Sequence, residues 1–428
     1  MGGLAAKAIA SVQRYRQQAV ELLLYQSVLE TPISRALLGL LEALCKEDSA
    51  QCLTAYGIWF RALAEEQQTW QGHLLEQLLI ADNPFSQQAQ RQPIQEIPTA
   101  LLAAARYDLC RLQLLYNCQS QQLSQWVQTV CQIPEAPVVW TLDTETQPEV
   151  SFVNLPDWQE GLVELATYYH NRGVGIFGQY RVFRWQNGHL VGIAHPDEIQ
   201  LSDLAAYDHP RQQLLQNTEF LLNGASALHV LLYGSRGSGK SSLVKALVNE
   251  YGDRGLRLIE VGKAELANLP TIVEQVRNLP QVFIIFVDDL SFEEDDDAFK
   301  ALKVVLEGSV DARARNVVVY ATSNRRHLVR EYFSERPRPK DQDEIQAWDT
   351  LQEKLSFSDR FGLTLTFEPA DQKTYLAIVH HLASQAGIPL QPKEIEQRAL
   401  QWATRHNGRS GRTARQFIDF LAADLTLG

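Results

Sequence analysis

The segment from Gly234 to Ser241, G-S-R-G-S-G-K-S, constrains this chain more than any other feature. An apolar run at 228–233 precedes it, and a helix-forming run that starts at Ser242 follows it. This strand, loop and helix order is typical of a P-loop, whose backbone N–H groups surround phosphates while the next helix presents its positive end. The motif therefore predicts a binding site for a nucleoside triphosphate.

The side chains of the loop have separate predicted roles. We expect Lys240 to reach the terminal phosphates as a point charge and Ser241 to offer its hydroxyl to Mg²⁺. The residues expected to hold the nucleotide are Gly234, Ser235, Arg236, Gly237, Ser238, Gly239, Lys240, Ser241 and Ser242.

Length and composition indicate a multidomain globular protein. A chain of 428 residues exceeds the size at which one core usually keeps growing, and 45% of its residues are hydrophobic. No apolar stretch approaches the length of a membrane span, and the N-terminus has no sustained apolar signal, so we expect a cytoplasmic protein. The formal net charge of −12 disfavours general binding to nucleic acid.

The cysteines give no sign of a metal or disulfide site. Their number is odd, they show no C-x-x-C spacing, and all lie in the first third of the chain: Cys45, Cys52, Cys110, Cys118 and Cys131. We interpret them as small buried hydrophobic residues in a reducing compartment.

The pattern along the chain predicts four segments. Residues 1–135 have apolar residues at helical spacing, with breaks before three prolines, and predict a helical bundle. Residues 136–222 are mixed, with a β-hairpin around Asn187-Gly188 and a helix from Asp203 to Asn223. Residues 223–368 form the P-loop core, and residues 369–428 form a lid of three helices starting near Asp371, Pro392 and Gly411.

The core segment alternates short apolar strands with amphipathic helices. This alternation predicts a parallel sheet covered by helices on both faces, hence an α/β fold class. The predicted strands are 228–233, 256–261, 282–287, 317–321 and 363–367.

Polar residues follow two of these strands. The strand at 282–287 ends in Asp288-Asp289, and a later strand runs into Asn324. Because the carboxyl ends of parallel strands face the ligand crevice, Asp288 is the predicted partner of Mg²⁺, directly or through water. Asn324 is predicted to orient the attacking water. The alternative for the acidic pair is that it caps the following helix.

The P-loop, the acidic strand end and the later polar strand end occur in the order seen in AAA+ ATPases, which this chain resembles. Ser358 to Gly362, S-D-R-F-G, looks like the arginine-finger box of that family, and Gly408 to Arg412 looks like its sensor-2 motif. The resemblance implies ATP as the nucleotide and a homo-oligomeric ring. It also implies that Arg360 touches the γ-phosphate held by a neighbouring subunit and that Arg412 reaches the nucleotide from the lid. For either arginine alone, a surface ion pair is the alternative.

A closer resemblance covers residues 183–425. This region is similar to a bacterial group of stand-alone P-loop ATPases known as a domain of unknown function, DUF815. The motifs that carry the likeness lie at 288–293, 321–328 and 358–363. The group supplies no substrate, and we expect partner specificity in the first 180 residues, which lie outside the resemblance.

One position departs from the AAA+ pattern. Asp289 stands where many members have a glutamate base, and aspartate is one methylene shorter, which favours slow hydrolysis. Glu293 and Glu294 are alternative candidates for the base, although the acidic run at 293–297 is more typical of a solvated helix start. The charged insertion at 330–354 is interpreted as an exposed loop, with contact to an acidic partner or nucleic acid as its alternative.

Three functions remain open at this point. The first is an ATP hydrolase that remodels or regulates a protein client bound by the N-terminal region. The second is a nucleotide-gated switch or scaffold with slow hydrolysis. The third, a DNA-associated loader-type ATPase, is disfavoured by the acidic charge. The P-loop reads phosphates and not the base, so ATP rather than GTP is implied by the resemblance alone.

Overall fold

The computed structural model describes residues 2–142, 150–290, 297–307, 314–324, 360–406 and 408–427. Its contacts divide the chain into two compact units, Met1–Gln179 and Tyr180–Gly428. The finer division into four segments stays a prediction. Residues 293–296, the insertion at 330–354, and Ser358 and Asp359 lie outside the described residues.

The described residues of the first unit form helices and connecting loops, with no strand. Its helices are α1 (Gly2–Val20), α2 (Pro32–Lys46), α3 (Ser49–Glu65), α4 (Trp70–Leu79), α5 (Pro84–Ala89), α6 (Thr99–Tyr116), α7 (Ser120–Cys131), α8 (Leu162–Arg172) and α9 (Gly175–Gln179). One continuous core joins α1 to α8 and includes large residues such as Trp59, Trp70, Trp158 and Tyr169.

The predicted breaks before prolines are helix starts. Pro32 and Pro84 occupy the first turns of α2 and α5, where a missing N–H costs nothing. Thr31 caps α2 by accepting the Ser34 N–H, and Asn83 caps α5 in a reciprocal capping box with Ser86.

A buried carboxylate fixes the end of α1 against α6. Asp108 has no exposed surface, and its oxygens accept backbone N–H groups from three successive residues, Leu23, Leu24 and Tyr25, at 2.7 to 3.1 Å. The charge is thus satisfied by backbone donors of the turn after α1. An isolated acid in a helical pattern gives no sequence signal for this contact.

We expect Asp108→Ala to destabilise the first unit by about 3 to 5 kcal/mol, because it leaves three N–H groups without their acceptor. Five of the eight tryptophans lie in this unit, so fluorescence-detected denaturation of the full chain reports on it. The control is Asp48→Ala, which removes an exposed N-cap and should cost about 1 kcal/mol. Equal losses in the two variants would contradict the role assigned to Asp108.

Three of the cysteines, Cys52, Cys118 and Cys131, are buried in this core. Burial raises the pKa of the Cys52 and Cys118 thiols to about 12. Both thiols are therefore protonated near neutral pH, the state in which cysteine behaves as a small hydrophobic residue.

The second unit is built on one sheet. The described strands are β1 (Val182–Gln186), β2 (His189–Gly192), β3 (Val230–Gly234), β4 (Leu256–Glu260), β5 (Val282–Val287), β6 (Val317–Ser323) and β7 (Leu363–Phe367), in the spatial order β2-β1-β4-β5-β6-β3-β7. Only the β1–β2 pair is antiparallel among these strands, and its turn places Asn187 and Gly188 at positive φ, as a tight hairpin requires.

Helices cover the sheet and form the lid. They are α10 (Asp208–Leu222), α11 (Lys240–Tyr251), α12 (Leu269–Val276), α13 (Asp297–Glu307), α14 (Gln372–Gln385), α15 (Pro392–Arg405) and α16 (Gly411–Leu427). Residues of α10 and α11 pack with Ile284 and Phe286 of β5 on one face, and the alternate residues Phe283 and Ile285 are buried on the other. The last three helices share a separate core. The predicted fold class is confirmed.

Two predicted elements start later in the structure than the sequence pattern indicates. The helix predicted from Asp203 begins at Asp208, because Ala206 and Tyr207 adopt positive φ values of 69° and 59° that break a helix. The strand predicted from 228 begins at Val230, because the Asn217 side chain bonds both the N–H and the carbonyl of Leu228. None of the described helices is long and apolar enough to span a bilayer.

Candidate active site

The strand order brings the predicted motifs to one edge of the sheet. β6 lies between β5 and β3, and all three run parallel. The P-loop leaves the carboxyl end of β3, Asp288 and Asp289 follow β5, and Asn324 follows β6. The loop and the acids therefore flank the end of β6.

The P-loop begins in a conformation that requires glycine. Gly234 has φ 146°, and a Cβ there would lie 1.9 Å from the carbonyl oxygen of Phe367. The next residue, Ser235, donates its N–H to that same carbonyl at 3.2 Å. The start of the loop is thus fixed against the end of β7, while Gly239, at φ 89°, provides the N-cap of α11.

Lys240 is buried inside the loop. Its Nζ donates to the carbonyl oxygens of Ser235 and Gly234 at 2.8 and 3.0 Å. Burial lowers the pKa of Lys240, and the carboxylates of Asp288 and Asp289 act in the opposite direction. Its positive charge is held by neutral carbonyls, which an anionic phosphate can replace as a stronger partner.

The other loop side chains are arranged around this lysine. Ser238 is buried and donates its hydroxyl to the Ser235 carbonyl at 2.9 Å. Arg236 is exposed at the tip of the loop, and Ser242 is half-buried in the first turn of α11.

A direct hydrogen bond joins the P-loop to the acidic strand end. The Ser241 hydroxyl donates to Oδ1 of Asp288 at 2.6 Å. A hydroxyl and a carboxylate are hard oxygen donors of the kind Mg²⁺ prefers. Within the described parts of the chain no group of three or more His, Cys, Asp or Glu residues can hold a metal. One carboxylate and one hydroxyl fit a cation that completes its shell with phosphate and water, as Mg²⁺ does.

Asp289 is held by two residues of the β6 end. Its backbone is left-handed, with φ 52°, and its N–H donates to Oγ1 of Thr322 at 2.9 Å. The amide of Asn324 donates to Oδ1 of Asp289 at 2.7 Å. The structure thus brings Asn324 and Asp289 into contact, and it adds Thr322, which the motif analysis missed. The only available signal was a threonine in an apolar strand.

The lid reaches the tip of the P-loop through backbone atoms. The N–H of Arg412 donates to the carbonyl of Gly237 at 3.2 Å. A Cβ at Gly411 would lie 2.9 Å from that oxygen, so this approach requires glycine. Ser410 caps α16 by accepting the Thr413 N–H at 3.1 Å. The side chain of Arg412 is exposed.

Arg360 lies at the end of the sheet opposite the P-loop, where the parallel strands begin. It precedes β7, whose first residue, Leu363, pairs with Val230 at the amino end of β3. The P-loop begins at the carboxyl end of β3, about 13 Å further along at the usual rise per residue. Arg360 forms an ion pair with Glu307 at the end of α13. The structure therefore does not place Arg360 with the P-loop of its own chain.

Solved structures resemble the chain weakly. An ADP-bound FIGL-1 AAA domain has 16% identity and a TM-score of 0.38, over 54% of this chain and 74% of that one. A point mutant of Thermotoga maritima RuvB has 15% identity and a TM-score of 0.36, over 51% of this chain and 62% of that one. AMPPCP-bound DnaA from Aquifex aeolicus has 18% identity and a TM-score of 0.35, over 52% of this chain and 65% of that one. The chain thus covers less than two thirds of that RuvB structure, and likeness at this level carries no argument about activity. No curated protein matches the chain.

A sequence family does match. The family described as "Protein of unknown function (DUF815)" matches residues 178–425, more than half of the chain. The match includes the P-loop, Asp288, Asp289, Asn324, Arg360 and Arg412, and it confirms the predicted resemblance to DUF815. The chain belongs to the DUF815 family.

Proposed function

We propose that this chain binds ATP with Mg²⁺ and hydrolyses it. The observation that supports this most directly is the 2.6 Å bond between Ser241 of the P-loop and Asp288 of the acidic strand end. It joins two separately encoded motifs at one sheet edge, beside the buried ammonium of Lys240. A strand-end carboxylate next to a P-loop hydroxyl is the arrangement that phosphoryl-transfer sites use.

The site residues have separate roles in this reaction. Lys240 binds the terminal phosphates, and Ser241 and Asp288 hold Mg²⁺, which supplies charge neutralisation when bound. Asp289 accepts a proton from the attacking water, whose oxygen forms a bond to the γ-phosphorus as the bond to the bridging oxygen breaks. The products are ADP and phosphate. Asn324, whose amide contacts Asp289, orients that carboxylate and the water.

We further propose that the site is completed by a second copy of the chain in a ring. The position of Arg360 supports this, because it lies one strand length away from its own P-loop. If this guanidinium contacts a nucleotide, that nucleotide is bound by a neighbouring subunit. An arginine supplied in this way accounts for rate factors of about 10³ to 10⁵ in P-loop enzymes.

We assign client binding to the first unit. Its α4 borders an open groove of about 910 Å³ that also contains Trp140 and Tyr116. The groove is rich in carboxamide side chains, among them Gln67, Gln71, Asn117, Gln119 and Gln121. Carboxamides both donate and accept hydrogen bonds, as a polypeptide backbone does, so an extended protein segment is the occupant we propose.

A second candidate function is a nucleotide-gated switch that hydrolyses slowly. The observation that favours it is the bond from Asn324 to Asp289 at 2.7 Å. This bond occupies one oxygen of a base that is already one methylene short of glutamate. In this case ATP binding, rather than turnover, changes the assembly or its contact with the client.

The variant Asp289→Asn separates the two functions. If Asp289 is the base, steady-state phosphate release should fall at least about 100-fold while affinity for ATP stays within about threefold. The control is Asp253→Asn, which changes an exposed acid paired with Arg181 and should leave the rate unchanged. Tight ATP binding with a negligible wild-type rate that Asp289→Asn does not lower would favour the switch.

A further inference from the structure

Thr322 is a buried hydroxyl residue with no role in the proposed chemistry so far. It lies near the carboxyl end of β6 and is 2% exposed. The five residues before it, Val317 to Ala321, are buried and pair with the apolar strands β3 and β5. A polar side chain buried at this position needs hydrogen-bond partners, and both partners are acids of the site.

The two bonds of this hydroxyl have opposite directions. The Thr322 Oγ1 donates its proton to Oδ1 of Asp288 and accepts the backbone N–H of Asp289 at 2.9 Å. One side chain therefore sets the orientation of the Asp288 carboxylate and fixes the left-handed backbone of Asp289. The Leu290 N–H adds a bond to the Thr322 carbonyl at 2.7 Å, which closes the turn after β5 on the end of β6.

The same carboxylate oxygen receives two hydroxyls. Oδ1 of Asp288 accepts from Ser241 on the P-loop side and from Thr322 on the strand side. A hydroxyl that donates to a carboxylate restricts rotation of that carboxylate. Asp288 is thus hydrogen-bonded to Thr322 on the strand side and to Ser241 on the P-loop side.

We propose that Thr322 is a positioning residue that sets the metal-binding carboxylate and the base of this site together. The inference rests on the proposed function, since it concerns how Asp288 meets Mg²⁺ and how Asp289 faces water. Neither role requires Thr322 to touch the nucleotide. Its loss should therefore weaken the response to Mg²⁺ and leave Mg²⁺-free nucleotide binding intact.

The test compares Thr322→Val, which keeps the branched shape and removes the hydroxyl, with Thr322→Ser, which keeps the hydroxyl. Affinity for a fluorescent ATP analogue is measured in EDTA and across a MgCl₂ series, together with phosphate release. For Thr322→Val we expect affinity in EDTA within twofold of wild type, at least a tenfold higher half-saturating MgCl₂, and at least a tenfold lower rate. Thr322→Ser should stay within twofold of wild type in all three.

The matched control is Thr218→Val. Thr218 is a buried threonine of α10 whose hydroxyl donates to the Leu214 carbonyl and lies 3.0 Å from the hydroxyl of Tyr320, so its hydrogen bonds involve neither acid. We expect it to change thermal stability without changing the MgCl₂ response. This separates loss of a buried hydroxyl in general from loss of the one that contacts Asp288.

Several results would overturn the inference. The inference fails if Thr322→Val has the half-saturating MgCl₂ of the wild type. It also fails if Thr322→Ser has a tenfold weaker MgCl₂ response. If Thr322→Val does not fold, Thr322→Ala takes its place, and failure of both to fold would make the residue structural. If the wild-type chain itself binds no ATP, the proposed function fails as well, and that outcome is visible before any variant is compared.

Discussion

Replacing Lys240 by alanine should lower the affinity for ATP by at least about 100-fold, or about 2.7 kcal/mol, and remove hydrolysis. Lys240 is buried within the P-loop and donates to neutral oxygens, the carbonyls of Ser235 and Gly234 among them. Its bond to a phosphate would be charge-assisted, and no other lysine lies within the loop sequence. The measurement is titration of a fluorescent ATP analogue with purified full-length protein.

The control for this variant comes from the same helix. Lys245 also belongs to α11, but its side chain is partly exposed and its Nζ lies 3.6 Å from Oδ2 of Asp197. We expect Lys245→Ala to bind ATP like the wild type. If both lysine variants bound ATP as tightly as wild type, the P-loop would not be the nucleotide site.

Replacing Arg360 by alanine should lower hydrolysis by about 10³-fold without weakening ATP binding. The effect should appear only in assembled protein, because Arg360 lies at the amino end of the parallel strands and its own P-loop lies at their carboxyl end. Mixing the Arg360→Ala and Lys240→Ala proteins should restore part of the activity. In a mixed ring, the intact arginine of one protomer completes the intact P-loop of the other.

The ion pair of Arg360 provides the matched control. Glu307→Gln removes the pairing with Glu307 and leaves the guanidinium in place. If Arg360 acts on a neighbouring site, this variant should keep at least about a third of the wild-type rate. A loss in Glu307→Gln equal to that in Arg360→Ala, with no recovery on mixing, would mean that the ion pair stabilises the chain and that the arginine has no role in trans.

Much of the fold could be predicted from local pattern. The strands from 256 and 282 follow from apolar runs, and the lid helices begin within one residue of Asp371, Pro392 and Gly411 because caps and prolines mark helix starts. Neither of the two shifted element starts has a signal in its own segment. Asn217 holds Leu228 from another element, and no local pattern of residues 203–207 signals the left-handed backbone of Ala206 and Tyr207.

The candidate site, like the fold, could be predicted from the sequence only in part. The motifs predict which strand ends carry the acids and the amide, because chain order and parallel alternation bring those ends to one edge. They do not predict the bonds among them, since the Thr322 contact depends on the exact register of β5 and β6. The contact of Gly411 with the Gly237 carbonyl likewise depends on how the lid packs on the loop.

The most direct test of a shared ATPase site is phosphate release, measured with ATP and MgCl₂ across a series of protein concentrations. We expect the rate per chain to rise cooperatively with concentration in the wild type and to vanish in both Lys240→Ala and Arg360→Ala. A rate per chain that is independent of concentration and survives in both variants would contradict a nucleotide site built from the P-loop of one chain and the arginine of another.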